Sequence, residues 1–249
     1  MYISYSLWGS NEVYTYGMIE NVLLAGEIYK GWKVRVHYND TVPQKVIDWL
    51  EAQENVEVIH HEGEDNLASN MFWRFYDLFL PDTVVIIRDA DSRLSIHEKE
   101  MVDEWLNSSK DFHVIRGHPH HKVPILGGTC GCRNNLLEYI HVSNGTRNVN
   151  SSPRSFMVAG TFLKWYIDRL SRETDKYNAD QIFLYQYVYP IVANSLFVHS
   201  VKENAYEPFA KIIDSKESGF MGAIVTDCVN ASKILGDEKT TFVRKPEYK

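Results

Sequence analysis

The chain has 249 residues, 44% of them hydrophobic and 24% charged, a composition that supports a packed core and excludes wholesale disorder. Its formal charge is -7 with no Lys/Arg stripe, which argues against a nucleic-acid partner. No apolar run reaches the length of a membrane span.

Tyr2–Leu7 reads as a first strand running into the turn-rich Trp8-Gly9-Ser10-Asn11. Ile19, Val22, Leu23 and Ile28 recur at helical spacing over Thr15–Lys30, and Gly31 supplies a stop. Lys33–Tyr38 alternates as a short strand, Pro43 opens a helix, and Val56–Ile59 is a third strand. Asn66–Leu80 is expected to be helical, with the dense aromatic set Phe72, Trp73, Phe75, Tyr76 and Phe79. The strand Thr83–Arg88 follows.

Ser95-Ile96-His97-Glu98 is a capping box for a helix to about Leu106. Phe112–Ile115 and the glycine-interrupted Ile125–Cys132 read as strands. Asn134–Val142 and Phe156–Leu170 look helical around a polar loop; Asp180–Ala193 is a further helix and Ser195–His199 a late strand. Beyond Lys202 the periodicity is weak, as expected of an irregular wrap-around tail. Strands and helices alternate through the first half and then mix, which implies one α/β domain.

Cys130, Cys132 and Cys228 make no disulfide framework and are expected as reduced, mostly buried thiols. No secretory leader pattern opens the chain, so the expected compartment is the cytoplasm. The sequons at Asn39, Asn107, Asn144, Asn150 and Asn230 then read as chance.

The chemistry concentrates at Val84-Val85-Ile86-Ile87-Arg88-Asp89-Ala90-Asp91. A β-branched run of this kind reads as a strand buried on both faces, and ligands of open α/β sheets bind beyond the carboxyl ends of strands. Side chains at i and i+2 of an extended segment point the same way, so both carboxylates can address one hard cation. That arrangement can hold a divalent metal against a diphosphate; the plain alternative is a solvated turn.

Three segments, Asn70-Met71-Phe72-Trp73-Arg74-Phe75, Ile87 through Ser95, and Pro124-Ile125-Leu126-Gly127-Gly128, resemble the GT-A-type glycosyltransferases. The likeness is to sugar transferases of bacteria and large DNA viruses with an Arg-Asp-Ala-Asp-Ser-Arg core, and it spans roughly residues 2–200. The resemblance implies a GT-A (Rossmann-like) sheet, mainly parallel and flanked by helices. It further implies a nucleotide-binding half at 1–94, a donor-sugar and acceptor half at 95–202 and a tail at 203–249. The implied reaction moves a sugar from a nucleotide-sugar donor, a UDP-sugar by preference, to a hydroxyl of a glycan or glycoprotein acceptor. Mn²⁺ or Mg²⁺ would bridge Asp91 and Asp89 to the diphosphate, with His199 as third protein ligand or an ordinary buried histidine. Ser6, Leu7 and Trp8 would lie under the nucleoside, with Tyr5 or Trp8 stacking on the base or serving as core. Asp180, in Asn178-Ala179-Asp180-Gln181, resembles an acid that lies near the anomeric carbon, and otherwise caps its helix.

Asn70 and Arg74 share one helix face, where Asn70 would touch nucleoside or sugar and Arg74, with Lys216, would offset diphosphate charge. Arg74 could instead cap acidic neighbours such as Asp77. In His118-Pro119-His120-His121 proline breaks any zinc spacing, so His118 or His121 is expected to meet sugar hydroxyls. Gly127 and Gly128 mark a close backbone approach, either to the donor sugar or in a bulge. The rival readings are a metal-dependent phosphohydrolase or nucleotidyltransferase, and a non-catalytic nucleotide-sugar-binding module.

Overall fold

The computed structural model describes residues 1–62, 67–133, 178–203, 207–214 and 221–237. The expected helices at 134–142 and 156–170, and Lys216, lie outside the described residues. In chain order the elements are β1 (Tyr2–Leu7), α1 (Glu12–Ile28), β2 (Lys33–Tyr38), α2 (Gln44–Glu51), β3 (Val56–His60) and α3 (Leu67–Phe72). A 3₁₀ segment, Trp73–Phe79, continues α3 into β4 (Val84–Arg88), α4 (Ile96–Leu106), β5 (Phe112–Arg116) and β6 (Thr129–Arg133). After residue 178 come α5 (Ala179–Phe183), a π-turn (Leu184–Val188), α6 (Tyr189–Val192), β7 (Leu196–Ser200), β8 (Lys211–Ile212) and α7 (Val229–Ile234).

Among the described residues the strands form one eight-stranded sheet in the order β3-β2-β1-β4-β6-β5-β7-β8. Only β6 runs antiparallel to its neighbours. The chain is thus a mixed, mainly parallel α/β protein of Rossmann-like layout. Its strand order reverses between β1 and β4, the switch point at which such sheets open a crevice beyond the strand ends.

Register divides the sheet into two unlike faces. Ser4 pairs with Ile87 and Ser6 with His37, so these residues share a face, while Ile3, Tyr5, Leu7, Val34, Val36 and Ile86 share the other. The second set joins a core under α1, α2 and α4 that includes Tyr29, Leu50 and Trp105. Each such buried aliphatic contributes about 1.5–3 kcal/mol. The first face carries Val85 and Ile87 into a second core with Phe72, Phe75, Leu78 and Phe183. It also carries a polar row, Ser4, Ser6, Arg35 and His37, which the 3₁₀ segment covers.

That segment is 3₁₀ where an α-helix is expected, and its sequence explains why. A 3₁₀ helix has about three residues per turn, so side chains at i and i+3 eclipse. Phe72, Phe75 and Leu78 then form one column, all buried in the core. Trp73 and Tyr76 form a second, and Arg74 and Asp77 a third, both of them buried polar residues.

Other boundaries shift for local reasons. Helix α1 starts at Glu12, before the expected Thr15, because the Asn11 side chain accepts from Val13 N–H at 3.0 Å and caps it. The expected strand 125–132 is regular only from Thr129; Ile125–Gly128 is a loop. Pro190 has no N–H to continue the α-helical ladder, and a π-turn precedes it. The tail is not wholly irregular, since β8 joins the sheet edge and α7 packs on α1 through Ala231 N–H and the Asn230 amide, both donating to Glu20. The three cysteines are buried thiols. No helix among the described residues is long and apolar enough to cross a membrane.

Candidate functional site

Strand β4 ends at Arg88 at the switch point, and Asp89 and Asp91 stand in the turn beyond it. Ser92 N–H closes that turn by donating to the Asp89 carbonyl at 3.3 Å, so the extended i, i+2 spacing expected of the pair is not kept. The 3₁₀ segment is pinned beside them by β1: Ser6 Oγ accepts from Arg74 N–H at 3.0 Å, and Ser4 Oγ donates to the Arg74 carbonyl at 3.1 Å. Arg74 is thereby aimed along the edge. Its Nη1 donates to Asp89 Oδ1 and to the Arg88 carbonyl at 3.2 Å, and its Nη2 donates to Asp180 Oδ2 at 3.1 Å. One guanidinium therefore ties the end of β4 to the start of α5. Among the described residues its buried Nε has no hydrogen-bond partner.

The charge states follow from this packing. Burial alone would lower the Arg74 pKa, but Asp89 and Asp180 more than reverse that and hold it above its ordinary value. Burial raises the Asp180 carboxyl against the pull of Arg74, and nearby Asp89 raises it further. Asp91 is pushed up to about 6, first by burial and then by the charge on Asp89. Three carboxylates against two guanidiniums, Arg74 and the Arg93 that also acts on Asp91, leave an excess of negative charge.

The glycines complete the enclosure. Gly127 N–H donates to Gln181 Oε1 at 3.2 Å. A Cβ on Gly127 would lie 2.8 Å from Arg74 Nη2 and 2.9 Å from Asp180 Oδ2, and one on Gly128 would overlap Asp89 Oδ2. The close approach expected of this segment is thus to the site's own acids.

Asn21, on α1, braces the loop. Its amide donates to the Ser92 carbonyl at 2.8 Å and the Ala90 carbonyl at 3.3 Å, and its Oδ1 accepts from Leu94 N–H at 3.2 Å. From the tail, Val225 N–H donates to the Asp91 carbonyl at 2.7 Å, and Arg93 donates to the carbonyls of Val225 and Asp227.

The remaining expected residues take other places. Leu7 is core, Tyr5 is fully buried and cannot stack on a ligand, and Asn70 is fully buried on α3. Trp8 is half-buried at the end of β1, its ring stacked with Tyr14 at 6.5 Å. His118 packs its ring against those of His120 and His121 in the loop after β5. Next to that loop a cavity of about 330 Å³ is lined by Arg116, His121, Lys122 and Lys202.

His199 is not brought to the acids, which corrects its reading as a third metal ligand. It stands on β7, with β6 and β5 between it and β4, about 14 Å away at ~4.8 Å per strand. Its Nδ1 bonds His113 Nε2 at 2.9 Å and its Nε2 bonds Glu104 Oε2 at 3.0 Å, so both nitrogens are engaged. Among the described residues no group of three or more His, Cys, Asp or Glu side chains converges on a metal position. Asp89 and Asp91 still suit a hard cation held by one or two carboxylates and completed by water and substrate phosphate, the usual manner of Mg²⁺.

A second polar network was not anticipated from the sequence. Asp77 Oδ2 lies 3.1 Å from His37 Nε2, His37 Nδ1 lies 2.9 Å from His61 Nε2, and Arg35 Nη1 holds Asp77 Oδ1 at 3.2 Å. The period-three spacing of Arg74 and Asp77 is the signal that points to it.

The sequence matches no family model and no curated protein sequence. Among solved structures it is similar to S. aureus TarS 1–349, at 12% identity and TM-score 0.41, over 65% of this chain and 55% of that one. It is also similar to a Bacillus anthracis protein provisionally named glucose-1-phosphate thymidylyltransferase, solved with a sucrose, at 10% identity and TM-score 0.40, over 68% and 82% of the two chains. A third is the 4-diphosphocytidyl-2C-methyl-D-erythritol synthase of Anaerococcus prevotii, at 12% identity and TM-score 0.34, over 75% and 94%. The chain spans about half the length of the first of these.

Proposed function

We propose that this protein is a metal-dependent glycosyltransferase of GT-A type, moving a sugar from a nucleoside-diphosphate donor, preferably UDP-linked, to a glycan hydroxyl. The observation that carries the reading is the Asp89–Arg74–Asp180 chain, with Asp91 beside it, at the switch point of the sheet. An acid-rich crevice repels a diphosphate unless a cation intervenes, and Asp89 and Asp91, just beyond β4, are the residues that would hold one. When bound, Mn²⁺ or Mg²⁺ supplies the charge that stabilises a departing nucleoside diphosphate.

The chain's own residues then have distinct parts. Arg74 fixes the orientation of Asp89 and Asp180 and places positive charge between them. Asp180, buried and paired to Arg74, would accept a hydrogen bond from a hydroxyl of the transferring sugar. Gly127 and Gly128 let the loop close over the acids with no side chain in the way. Lys216 is a further candidate for the diphosphate.

The test is UDP release from a panel of UDP-sugars with Mn²⁺, compared with chelator and with Asp91→Asn. Metal-dependent release that Asp91→Asn abolishes supports the reading. Phosphate release from simple phosphomonoesters, or pyrophosphate release from a nucleoside triphosphate and a sugar phosphate, would replace it with the corresponding rival activity. Binding of UDP without turnover across many acceptors would leave a binding module.

A further inference from the structure

We propose that His61 reads the nucleobase of the donor, its Nδ1 accepting the ring N–H of a uracil-like or guanine-like base. This inference rests on the nucleotide-sugar reading above and adds to it the class of base.

The argument starts from register. His37 sits opposite Ser6 on β1 and Ile59 on β3, and His61 lies two residues beyond Ile59, so His61 continues the face that carries Ser6 and Asp89. Its backbone N–H donates to the Tyr38 carbonyl at 2.8 Å, which fixes it at the carboxyl edge just past β3. From β4 to β3 is about 14 Å, three strand spacings of ~4.8 Å. A nucleoside diphosphate laid along this edge with its phosphates at Asp89 and Asp91 extends its base toward His61. The two ends are also linked through the protein, because Trp73 and Arg74 are consecutive residues.

Hydrogen-bond polarity settles what His61 can offer. Asp77, ion-paired to Arg35, only accepts, so His37 Nε2 carries the hydrogen that bonds it. As a neutral imidazole His37 has a bare Nδ1, which takes the hydrogen of His61 Nε2, whereas a His37 imidazolium would make His61 Nδ1 a donor and refute the proposal. His61 Nδ1 is then a lone-pair acceptor, and among the described residues it has no partner. The ring is half-buried and stacked flat on Trp73, centroids 4.7 Å apart and planes 3° from parallel, and its hydrogen bond to His37 is what selects the orientation with Nε2 inward. Burial, with the neighbouring His37 and His60, lowers its pKa to about 4, which keeps a second proton off the ring at neutral pH.

A fixed acceptor selects among bases by their central ring nitrogen. Uracil, thymine and guanine carry a hydrogen there; cytosine and adenine carry a lone pair, which would face the lone pair of Nδ1. Leaving such a pair unmade costs more than the bond is worth, so the preference is sizeable.

The experiment is calorimetric binding, with Mn²⁺ present, of UDP, GDP, CDP, ADP and N3-methyl-UDP to the full chain and to His61→Phe. The Phe variant keeps a ring against Trp73 and removes the acceptor. In the native chain N3-methyl-UDP and CDP are expected to bind about tenfold or more weaker than UDP. In His61→Phe the ratio of UDP to N3-methyl-UDP should fall to near unity, a ratio that general loss of stability does not imitate. Comparing UDP with GDP names the base. Equal binding of UDP and N3-methyl-UDP by the native chain overturns the inference while leaving the glycosyltransferase reading in place; binding of no nucleotide overturns both. Should the variant not fold, ¹⁵N-histidine spectra of the native protein decide. A bare His61 Nδ1 that responds to UDP but not to its N3-methyl analogue is expected, and a protonated Nδ1 in the free protein refutes the proposal.

Discussion

Arg74 shows how one residue can be both scaffold and charge. It is buried and answers two carboxylates, so Arg74→Met leaves Asp180 uncompensated and should cost about 3–5 kcal/mol in urea unfolding. Adding Asp180→Asn should restore part of that loss, and strict additivity of the two substitutions would show that the pair does not interact. Asp91 carries the opposite sign. Its carboxyl stands at about 6 in the folded chain against an ordinary 3.8, so the folded state holds the extra proton between those values. This group's contribution therefore falls as pH rises from about 4 to 6 and stays low above. Asp91→Asn should raise the melting temperature of the ligand-free protein at pH 7.5 by roughly 3–6 °C and leave it unchanged near pH 4. Of the acids, Asp89 and Asp91 were legible because they end a Val/Ile run, and Asp180 because it opens a helix. His61, His37 and Asn21 were not, since a buried hydrogen-bond partner leaves no mark on periodicity; Asp77 showed only in its spacing from Arg74, and His199 misled because the sequence does not show that β6 and β5 come between β7 and β4.

At the scale of elements, continuous β-branched runs located the strands closely, while helix type and ends depended on partners distant in sequence. Helix α4 illustrates this. The Ser95 half of its capping box forms, with Oγ accepting from Glu98 N–H at 3.1 Å, but the Glu98 side chain turns inward. There it accepts from buried Arg88 Nε at 2.7 Å and from the Tyr29 hydroxyl at 2.8 Å, tying α4 to both β4 and α1. Ser95→Ala should cost about 1 kcal/mol, the ordinary worth of a cap. Glu98→Ala should cost several times more, about 3–5 kcal/mol, because it strands a buried guanidinium; chemical denaturation of the two variants should give clearly unequal midpoints. The 3₁₀ segment was misread for a related reason: aromatic density suggests a helix but does not distinguish three residues per turn from 3.6.

For the whole molecule, the mainly parallel sheet followed from the alternation of strands and helices, whereas the return of the tail to the Asp91 loop did not. Val225, Asp227 and α7 connect that loop and α1, so removal of residues 221–237 should lower the melting temperature and weaken nucleotide binding together. The histidines set a second global property. Burial lowers the pKa of His61, His113, His121 and His199 in the folded chain. The unfolded chain's histidines then bind more protons below about pH 6.5, so stability should decline on acidification from pH 7 toward 4.5 despite the opposing effect of Asp91 and Asp180. A melting temperature that stays flat or rises over that interval would contradict this account.

The 3₁₀ segment behaves as a ruler with a fixed graduation. Its columns assign Trp73 to the His61 ring, Arg74 to the acids and Asp77 to the histidine pair, and each assignment depends on counting by threes. One residue inserted between Trp73 and Asp77 would rotate these columns by about a third of a turn. Both ends of the crevice would then lose their supports at once, though no residue of either had been changed.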